Sequence, residues 1–447
     1  MKFYGRKKEL ETLQNLYRQT EESGRMTVLT GRRRVGKTML ALEFARTHKF
    51  IYLFAAKKSE LLLCLEYIEE IKKVFSIPVI GEVRTFKDIF SLLLEISRKE
   101  RFTLIVDEFQ EFYNINPAVY SEIQHLWDLN KNHCRLNVIF IGSIYSLVHK
   151  IFENSKEPLF QRADRVFHIK PFKVDTISEI LSDYGCKDKK TLFDFYLFTG
   201  GVPRYIDILV KNSVFSYEQI MNFLLDEYSP FINEGKNLLI EEFGKEYGAY
   251  FSILELIAAG KTARSEIESI MERQVGGHLE RLENDYAVIS KHKPIDAKPN
   301  SRIQKYSITD NFLNFWFRFI YRYRSAVETG NFAYIKKIID RDYNVYSRLL
   351  LEAFFKDLFA GTQLYNRIGS YWEKGNLNEI DLVAINDIEK IIVIAEIKLN
   401  KSRIRLEALK KKSQRLLAKY GDYTPRWLAL GLEDAEEYLF TGKKIDS

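Results

Sequence analysis

Residues 31–38 read Gly31-Arg32-Arg33-Arg34-Val35-Gly36-Lys37-Thr38, and the fold of the N-terminal part of the chain turns on this spacing of two glycines, a lysine and a hydroxyl. Before it stands the apolar stretch Met26-Thr27-Val28-Leu29-Thr30, and after it Met39-Leu40-Ala41-Leu42-Glu43-Phe44-Ala45. The first has the length and composition of a strand and the second the pattern of a helix. A strand, a glycine-punctuated loop and a helix in that order suit the wrapping of phosphate. Glycines let the backbone approach oxygen atoms closely, and successive N–H groups with the helix N-terminus offer a fixed positive field. Gly31, Arg34, Val35 and Gly36 are expected to form the cradle. Lys37 is expected to reach the β- and γ-phosphates of ATP, and the Thr38 hydroxyl to hold Mg²⁺.

Working outward, Phe102-Thr103-Leu104-Ile105-Val106-Asp107-Glu108 reads as a buried parallel strand that delivers two carboxylates to the carboxyl edge of an open α/β sheet. Asp107 is the expected Mg²⁺ ligand, and Glu108 the group that polarises an attacking water. Another strand, Val138-Ile139-Phe140-Ile141-Gly142-Ser143, ends in a hydroxyl that would contact the γ-phosphate or the water. An ordinary turn residue is the alternative for Ser143.

The whole chain of 447 residues has room for about three domains at roughly 100 to 200 residues each. Its 46% apolar and 29% charged residues are those of an ordinary folded protein and exclude disorder and collagen-like structure. The net charge of +7 is compatible with a polyanionic partner without demonstrating one. Cys64, Cys134 and Cys186 lie far apart with no paired spacing, which argues against a disulfide framework or a zinc site and fits a reducing cytoplasm. The charged start Met1-Lys2-Phe3-Tyr4-Gly5-Arg6-Lys7-Lys8-Glu9 and the lack of apolar runs near ~18 residues predict a protein that is neither exported nor inserted in a membrane.

Further signatures are Phe3 to Leu10 before the first helix, Pro158-Leu159-Phe160-Gln161-Arg162 followed by Ile169-Lys170-Pro171-Phe172, and Thr199-Gly200-Gly201-Val202-Pro203-Arg204-Tyr205. With the phosphate loop and the acidic strand, they make the chain resemble the archaeal-type ATPases of the AAA+/STAND division that carry a C-terminal domain of the type called DUF234. The resemblance implies that Gly5 and Arg6 lie near the adenine and that Ser143 is the polar sensor after the fourth core strand. It implies that Arg162 or Arg165 acts as an arginine sensor or finger, and that the Gly200 to Tyr205 turn, with Arg204, brings a helical lid onto the nucleotide. An arginine acting across subunits would make the protein a homo-oligomer.

In the middle of the chain, three short helical patterns between Tyr247 and Leu282 precede a hairpin pattern closing at Ile308. This order resembles a winged helix. The stretch from Lys291 to Lys305 holds Lys291, Lys293, Lys298, Arg302 and Lys305 against Asp296 alone, as contact with DNA phosphates would need. The third helix is acidic, with Arg273 and Arg281 among Glu272, Glu280, Glu283 and Asp285, which favours packing or protein contact. The aromatic and arginine run from Phe312 to Arg324 reads as a greasy helix face anchoring two domains, with base stacking as the alternative.

Toward the C-terminus, Ile380 to Ile385 and Lys390 to Lys398 alternate as two strands. A hairpin with a four-residue loop places Asp381 opposite Glu396, with Lys398 on the Glu396 face. Opposed carboxylates in an apolar sheet need a cation, and Mg²⁺ or Mn²⁺ suits oxygen ligands. An inward salt bridge to Lys398 is the alternative. The arrangement resembles the PD-(D/E)XK nuclease core, as DUF234-type domains do, and this resemblance makes Glu352 the extra acid on the first helix. Ile380 stands where that core has proline. From Lys398 to Lys419 nine cations face Glu407 alone, a basic surface for nucleic acid beside the carboxylates.

The expected architecture is α/β. A P-loop NTPase core with a parallel sheet spans 1–170, a helical lid 171–245, a winged helix 246–310, a linker helix 311–345, and a restriction-endonuclease-like domain 346–447. The expected function is an ATP-hydrolysing, Mg²⁺-dependent switch associated with DNA, with a metal-dependent nuclease tail. The alternative is a signalling ATPase whose inactive tail recruits a protein partner.

Overall fold

The computed structural model describes residues 1–77, 82–298, 300–301 and 303–439. Two compact units divide the chain between Lys170 and Pro171.

In the first unit, β1 (Arg25–Thr30), β2 (Phe50–Phe54), β3 (Phe102–Asp107), β4 (Leu136–Ile141) and β5 (Arg165–His168) form one sheet in the order β2-β3-β4-β1-β5, and every pairing is parallel. Parallel neighbours need crossovers, and helices therefore cover both faces. On one face α1 (Lys7–Gln19) and α2 (Lys37–Ala45) bury Leu13, Leu40 and Phe44 with Leu29, Ile105 and Ile139 of the sheet. On the other, α3 (Glu60–Phe75) and α4 (Phe86–Lys99) bury Leu63, Ile71 and Phe90 with Val28, Leu104 and Phe140. Successive strand residues thus serve opposite cores, which is why β3 and β4 are continuous apolar runs without alternation. α4 begins in a reciprocal cap, the Thr85 hydroxyl accepting from the Asp88 amide and the Asp88 carboxylate from the Thr85 amide.

The second unit begins with five helices between Val174 and Phe243, followed by Tyr247–Ala258, Arg264–Met271 and Gly276–Asn284. The hairpin β6 (Ile289–His292) and β7 (Lys305–Ile308) follows these three helices. The aromatic run after it is core. Phe312, Phe315, Trp316, Phe317 and Phe319 are buried, the Trp316 indole donates to the Ile232 carbonyl at 2.7 Å, and Arg318 donates to the Ala258 carbonyl at 2.9 Å. This burial favours the anchoring face over the base-stacking alternative for the stripe. One continuous helix, Phe332–Gly361, then runs through residue 346. The last sheet has the order β11-β10-β9-β8, built from β8 (Arg367–Tyr371), β9 (Ile380–Asn386), β10 (Ile391–Ile397) and β11 (Thr424–Leu430).

The basic hairpin faces its own unit. Lys291 pairs with Glu283 at 3.0 Å and Lys305 with Glu379 at 2.8 Å, while the Ile295 amide donates to the Ser370 carbonyl at 2.9 Å. Asp296 accepts from Tyr420 and meets Lys419 at 3.3 Å. Arg302 lies outside the described residues. The local excess of cations is offset by acids distant in sequence, so these two lysines are not held out for DNA. Among the described residues, no helix is long and apolar enough to cross a membrane.

Candidate nucleotide-binding site

The loop between β1 and α2 departs from ordinary backbone at three places, Gly31 at φ 140°, Arg34 at φ 71° and Gly36 at φ 89°. A Cβ on Gly31 would lie 2.3 Å from the Ile169 carbonyl oxygen, so only glycine lets the loop pass the end of β5. Arg34 accepts a conformation that usually costs an L-residue about 1–2 kcal/mol. Lys37, the first residue of α2, is 6% exposed. Its ammonium donates to the carbonyls of Gly31 at 2.8 Å and Arg32 at 2.9 Å, which holds it in the mouth of the loop.

Register brings the acids to this mouth, because β3 ends at Asp107 on the face that α2 covers. The Thr38 hydroxyl donates to Asp107 Oδ2 at 2.7 Å, the Tyr52 hydroxyl donates to the same oxygen at 2.9 Å, and the Glu108 amide donates to Oδ1 at 2.8 Å. Glu108 leaves the strand at φ 53°, which turns its side chain away from that of its neighbour. Its Oε2 accepts from the Ser143 hydroxyl at 2.7 Å and from the Gln110 amide. Two adjacent acids thus serve two places. Asp107 stands with Thr38, and Glu108 stands with the hydroxyl that follows β4. Hard oxygen donors 2.7 Å apart at the end of an amide-lined loop fit Mg²⁺.

Arg6 also belongs to this edge. Its guanidinium donates to the Val35 carbonyl at 3.2 Å and to the Lys170 carbonyl, which ties the chain before α1 to the phosphate loop and to the exit of β5. Gly5 and Arg6 both take positive φ, 60° and 63°. Burial lowers the Arg6 pKa, with Glu9 at 3.5 Å acting against the shift.

Not every expected residue converges here. Arg162 forms a two-pronged pair with Asp128, Nε to Oδ1 at 2.9 Å and Nη2 to Oδ2 at 3.0 Å. Arg165 is aligned with Thr27 of β1 and opens β5. Both lie toward the end of the sheet where the strands begin, opposite the phosphate loop, so the structure brings neither arginine to the loop of its own chain. Arg204 lies in the second unit, half exposed on the helix Pro203–Lys211 and 3.8 Å from Asp207. Sequence reasoning missed Tyr52 and Gln110. Nothing in the local pattern distinguishes Tyr52 from other strand aromatics, and only its pairing opposite Ile105 points its ring toward Asp107.

In the tail, Ala395 pairs with Leu382, which places Glu396 next to Asp381 in register. Their carboxylates are occupied by cations and an amide. Lys398 and Lys412 each lie 3.0 Å from Glu396, Asp381 accepts the Ile397 amide at 2.8 Å, and Arg348 bridges Asp381 at 3.6 Å and Glu352 at 3.7 Å. Burial pushes Glu396 upward, but hydrogen bonds from Lys398 and Lys412 outweigh it and hold the carboxyl below its ordinary value. Asp381 is raised by burial, with the Ile397 amide and Arg348 opposing. Among the described residues, no group of three or more His, Cys, Asp or Glu side chains is arranged to hold a metal ion. At the expected site for a second Mg²⁺ or Mn²⁺, Asp381 and Glu396 thus meet Lys398, Lys412, Arg348 and the Ile397 amide, partners that the strand pattern alone does not reveal.

The basic helix beside this sheet is treated likewise. Lys401 pairs with Asp434, Lys410 with Glu407 and Arg415 with Glu373, whereas Arg403, Arg405 and Lys411 are exposed.

Glu352 is pushed up to about 8, by burial first and by the charge of Asp381 second. A carboxyl raised above its ordinary 4.5 binds its proton more tightly in the folded than in the unfolded state. The linked stability is therefore fully present below the lower value and is lost as pH rises through the upper one. Unfolding midpoints should fall between roughly pH 5 and pH 8, and Glu352→Gln should flatten that fall. Denaturant titrations followed by tryptophan fluorescence measure both, and an unchanged slope in the variant would refute the assignment.

Residues 3–209 match the family ATPase_2, described as an ATPase domain predominantly from Archaea. Residues 316–415 match DUF234, described as "Archaea bacterial proteins of unknown function". The Methanocaldococcus jannaschii protein MJECL04 is 28% identical over 455 residues, covering 100% of this chain and 96% of that one. Among solved structures, the Walker-type ATPase of Pyrococcus abyssi is similar in fold with a TM-score of 0.55 at 19% identity, over 70% of this chain and 96% of that one. The Aeropyrum pernix ORC2 protein in its ADPNP-ADP complexes is similar with a TM-score of 0.50 at 15% identity, over 76% and 96%. The chain thus joins a P-loop ATPase domain that matches ATPase_2 over residues 3–209 to a C-terminal domain that matches DUF234 over residues 316–415.

Proposed function

We propose that this ATPase is a Mg²⁺-dependent molecular switch that works in association with DNA. The observation that carries the reading is the Thr38–Asp107 contact of 2.7 Å at the end of the phosphate loop, with Glu108 turned separately toward Ser143. In this reading the amides around Gly31, Arg34, Val35 and Gly36 bind the phosphates, and Lys37 swings from its carbonyl partners to the β- and γ-phosphate oxygens. Thr38 and Asp107 hold the metal. Bound Mg²⁺ neutralises charge on those oxygens. Glu108 orients the attacking water, and Ser143 senses the γ-phosphate. The fold shared with a protein solved with ADPNP and ADP supports an adenine nucleotide.

Arg162 or Arg165 acts as a finger only from a second copy, since neither reaches the loop of its own chain, and the switch is then a homo-oligomer. Closure of a lid spanning 171–245, with Arg204 at its turn, would reposition a winged helix at 246–310 and a tail at 346–447. DNA association is supported by the net charge of +7 and by the exposed Arg403, Arg405 and Lys411 of the tail. ATP hydrolysis assayed with duplex, single-stranded and branched DNA tests it, and a rate unmoved by every DNA would refute it.

The paired carboxylates of the tail favour the second reading, a regulatory signalling ATPase whose nuclease-like sheet cleaves nothing and recruits a protein partner. Purified protein with Mn²⁺ should then leave plasmid and linear DNA intact. Cleavage that disappears in Asp381→Ala and Lys398→Ala would establish the nuclease reading instead.

A further inference from the structure

β2 lies at the edge of the first sheet and pairs only with β3 among the described strands. Its Ile51 and Leu53 face the α3–α4 core, while Tyr52 packs partly buried on the α1–α2 face. Tyr52 is aligned with Ile105, two residues before Asp107 along the neighbouring strand. Two residues of strand rise span about 6.6 Å, close to the reach of a tyrosine side chain from Cα to hydroxyl. The ring therefore runs up the face of the sheet and sets its hydroxyl 2.9 Å from Asp107 Oδ2.

We propose that Tyr52 is a positioning residue that fixes the orientation of the Asp107 carboxylate for the magnesium site. This rests on the reading of Thr38 and Asp107 as the metal pair. Three donors surround that carboxylate, from Thr38 and Tyr52 on Oδ2 and the Glu108 amide on Oδ1, and together they fix both its plane and its tilt. The Thr38 hydrogen is spent on Asp107, so the lone pairs of the Thr38 oxygen are what remain for a cation. None of the three bonds has to break when a metal arrives. Thr38 and the Glu108 amide are local to the loop and the strand. Tyr52 is a side-chain link from the edge strand to the carboxylate, beside the backbone bond from the Ala55 amide to the Asp107 carbonyl at 2.9 Å.

The test measures metal binding apart from turnover. Binding of a fluorescent ADP analogue is titrated with Mg²⁺ in the wild-type chain and in Tyr52→Phe, and Mn²⁺ binding in the presence of ADP is read by electron paramagnetic resonance. Tyr52→Phe keeps the ring and its apolar packing and removes one charge-assisted hydrogen bond, so it should need about tenfold more metal at half-saturation. Its affinity for metal-free nucleotide should stay within about twofold. An unchanged or lower metal requirement would overturn the proposal. So would an equal loss of metal-free affinity, which would make Tyr52 merely structural. Thr38→Ala and Asp107→Asn, run alongside, keep the two ideas apart. If those variants also keep the parent metal dependence, the metal pair itself is wrong, whatever Tyr52 does.

Discussion

Lys37→Ala should lower ATP turnover by about 10²- to 10³-fold and weaken nucleotide binding, while the fold survives. The loop places this one ammonium, 6% exposed, between the carbonyls of Gly31 and Arg32. These two carbonyls are neutral acceptors, and phosphate oxygens offer the buried cation a more negative partner. Charge developing on the transferring phosphoryl group strengthens the contact in the transition state, so the loss falls on turnover more than on affinity. Lys37→Arg should not rescue. A planar guanidinium cannot replace a compact ammonium in a mouth bounded by backbone, and it lacks the point-charge geometry of lysine. Phosphate release at saturating ATP and fluorescence titration of a nucleotide analogue check both halves. A variant that binds and hydrolyses ATP like its parent would remove the basis of the ATPase reading.

The same loop shows how far the sequence is legible and where it stops being so. Gly31 to Thr38 specifies its own geometry because each residue type answers a local demand: positive φ, close backbone approach, helix start. The acidic end of β3 is nearly as legible, because a buried parallel strand must end at the carboxyl edge of the sheet, where Thr38 also stands. Arg162 was not legible in the same way. Its role depends on Asp128 on the helix Ala118–Asn130, and no local pattern encodes a partner 34 residues away. The cations of the hairpin and tail show the same limit. Charge runs count neighbours in sequence, whereas Glu283, Glu379, Glu396, Asp434 and Glu373 reach them through tertiary packing. The loop length predicts the β9–β10 register, but the neutralisation of Asp381 and Glu396 depends on Arg348 from another helix and Lys412 beyond the strand. Tyr52 was invisible because alternation assigns it a face and says nothing of which polar atom its hydroxyl meets.

Glu108→Gln should separate binding from hydrolysis, leaving nucleotide affinity near that of the parent while turnover falls by about 10²- to 10⁴-fold. The substitution keeps the size and planarity of the side chain. What it removes is the negative charge that accepts from both Ser143 and Gln110 and that would draw a proton from an attacking water. Asp107 is unaffected, because its partners are Thr38, Tyr52 and the backbone amide of residue 108, and an amide at 108 is present whatever its side chain. Metal-dependent nucleotide binding should therefore persist in Glu108→Gln and fail in Asp107→Asn. Ser143→Ala completes the argument. If the hydroxyl only closes a turn, this variant will hydrolyse ATP at the parent rate. If it aims Glu108, turnover should drop while affinity holds, and combining it with Glu108→Gln should cost less than the two losses multiplied, since both act through one contact. Full multiplicativity would show that Ser143 and Glu108 work independently, and that their 2.7 Å hydrogen bond has no part in hydrolysis.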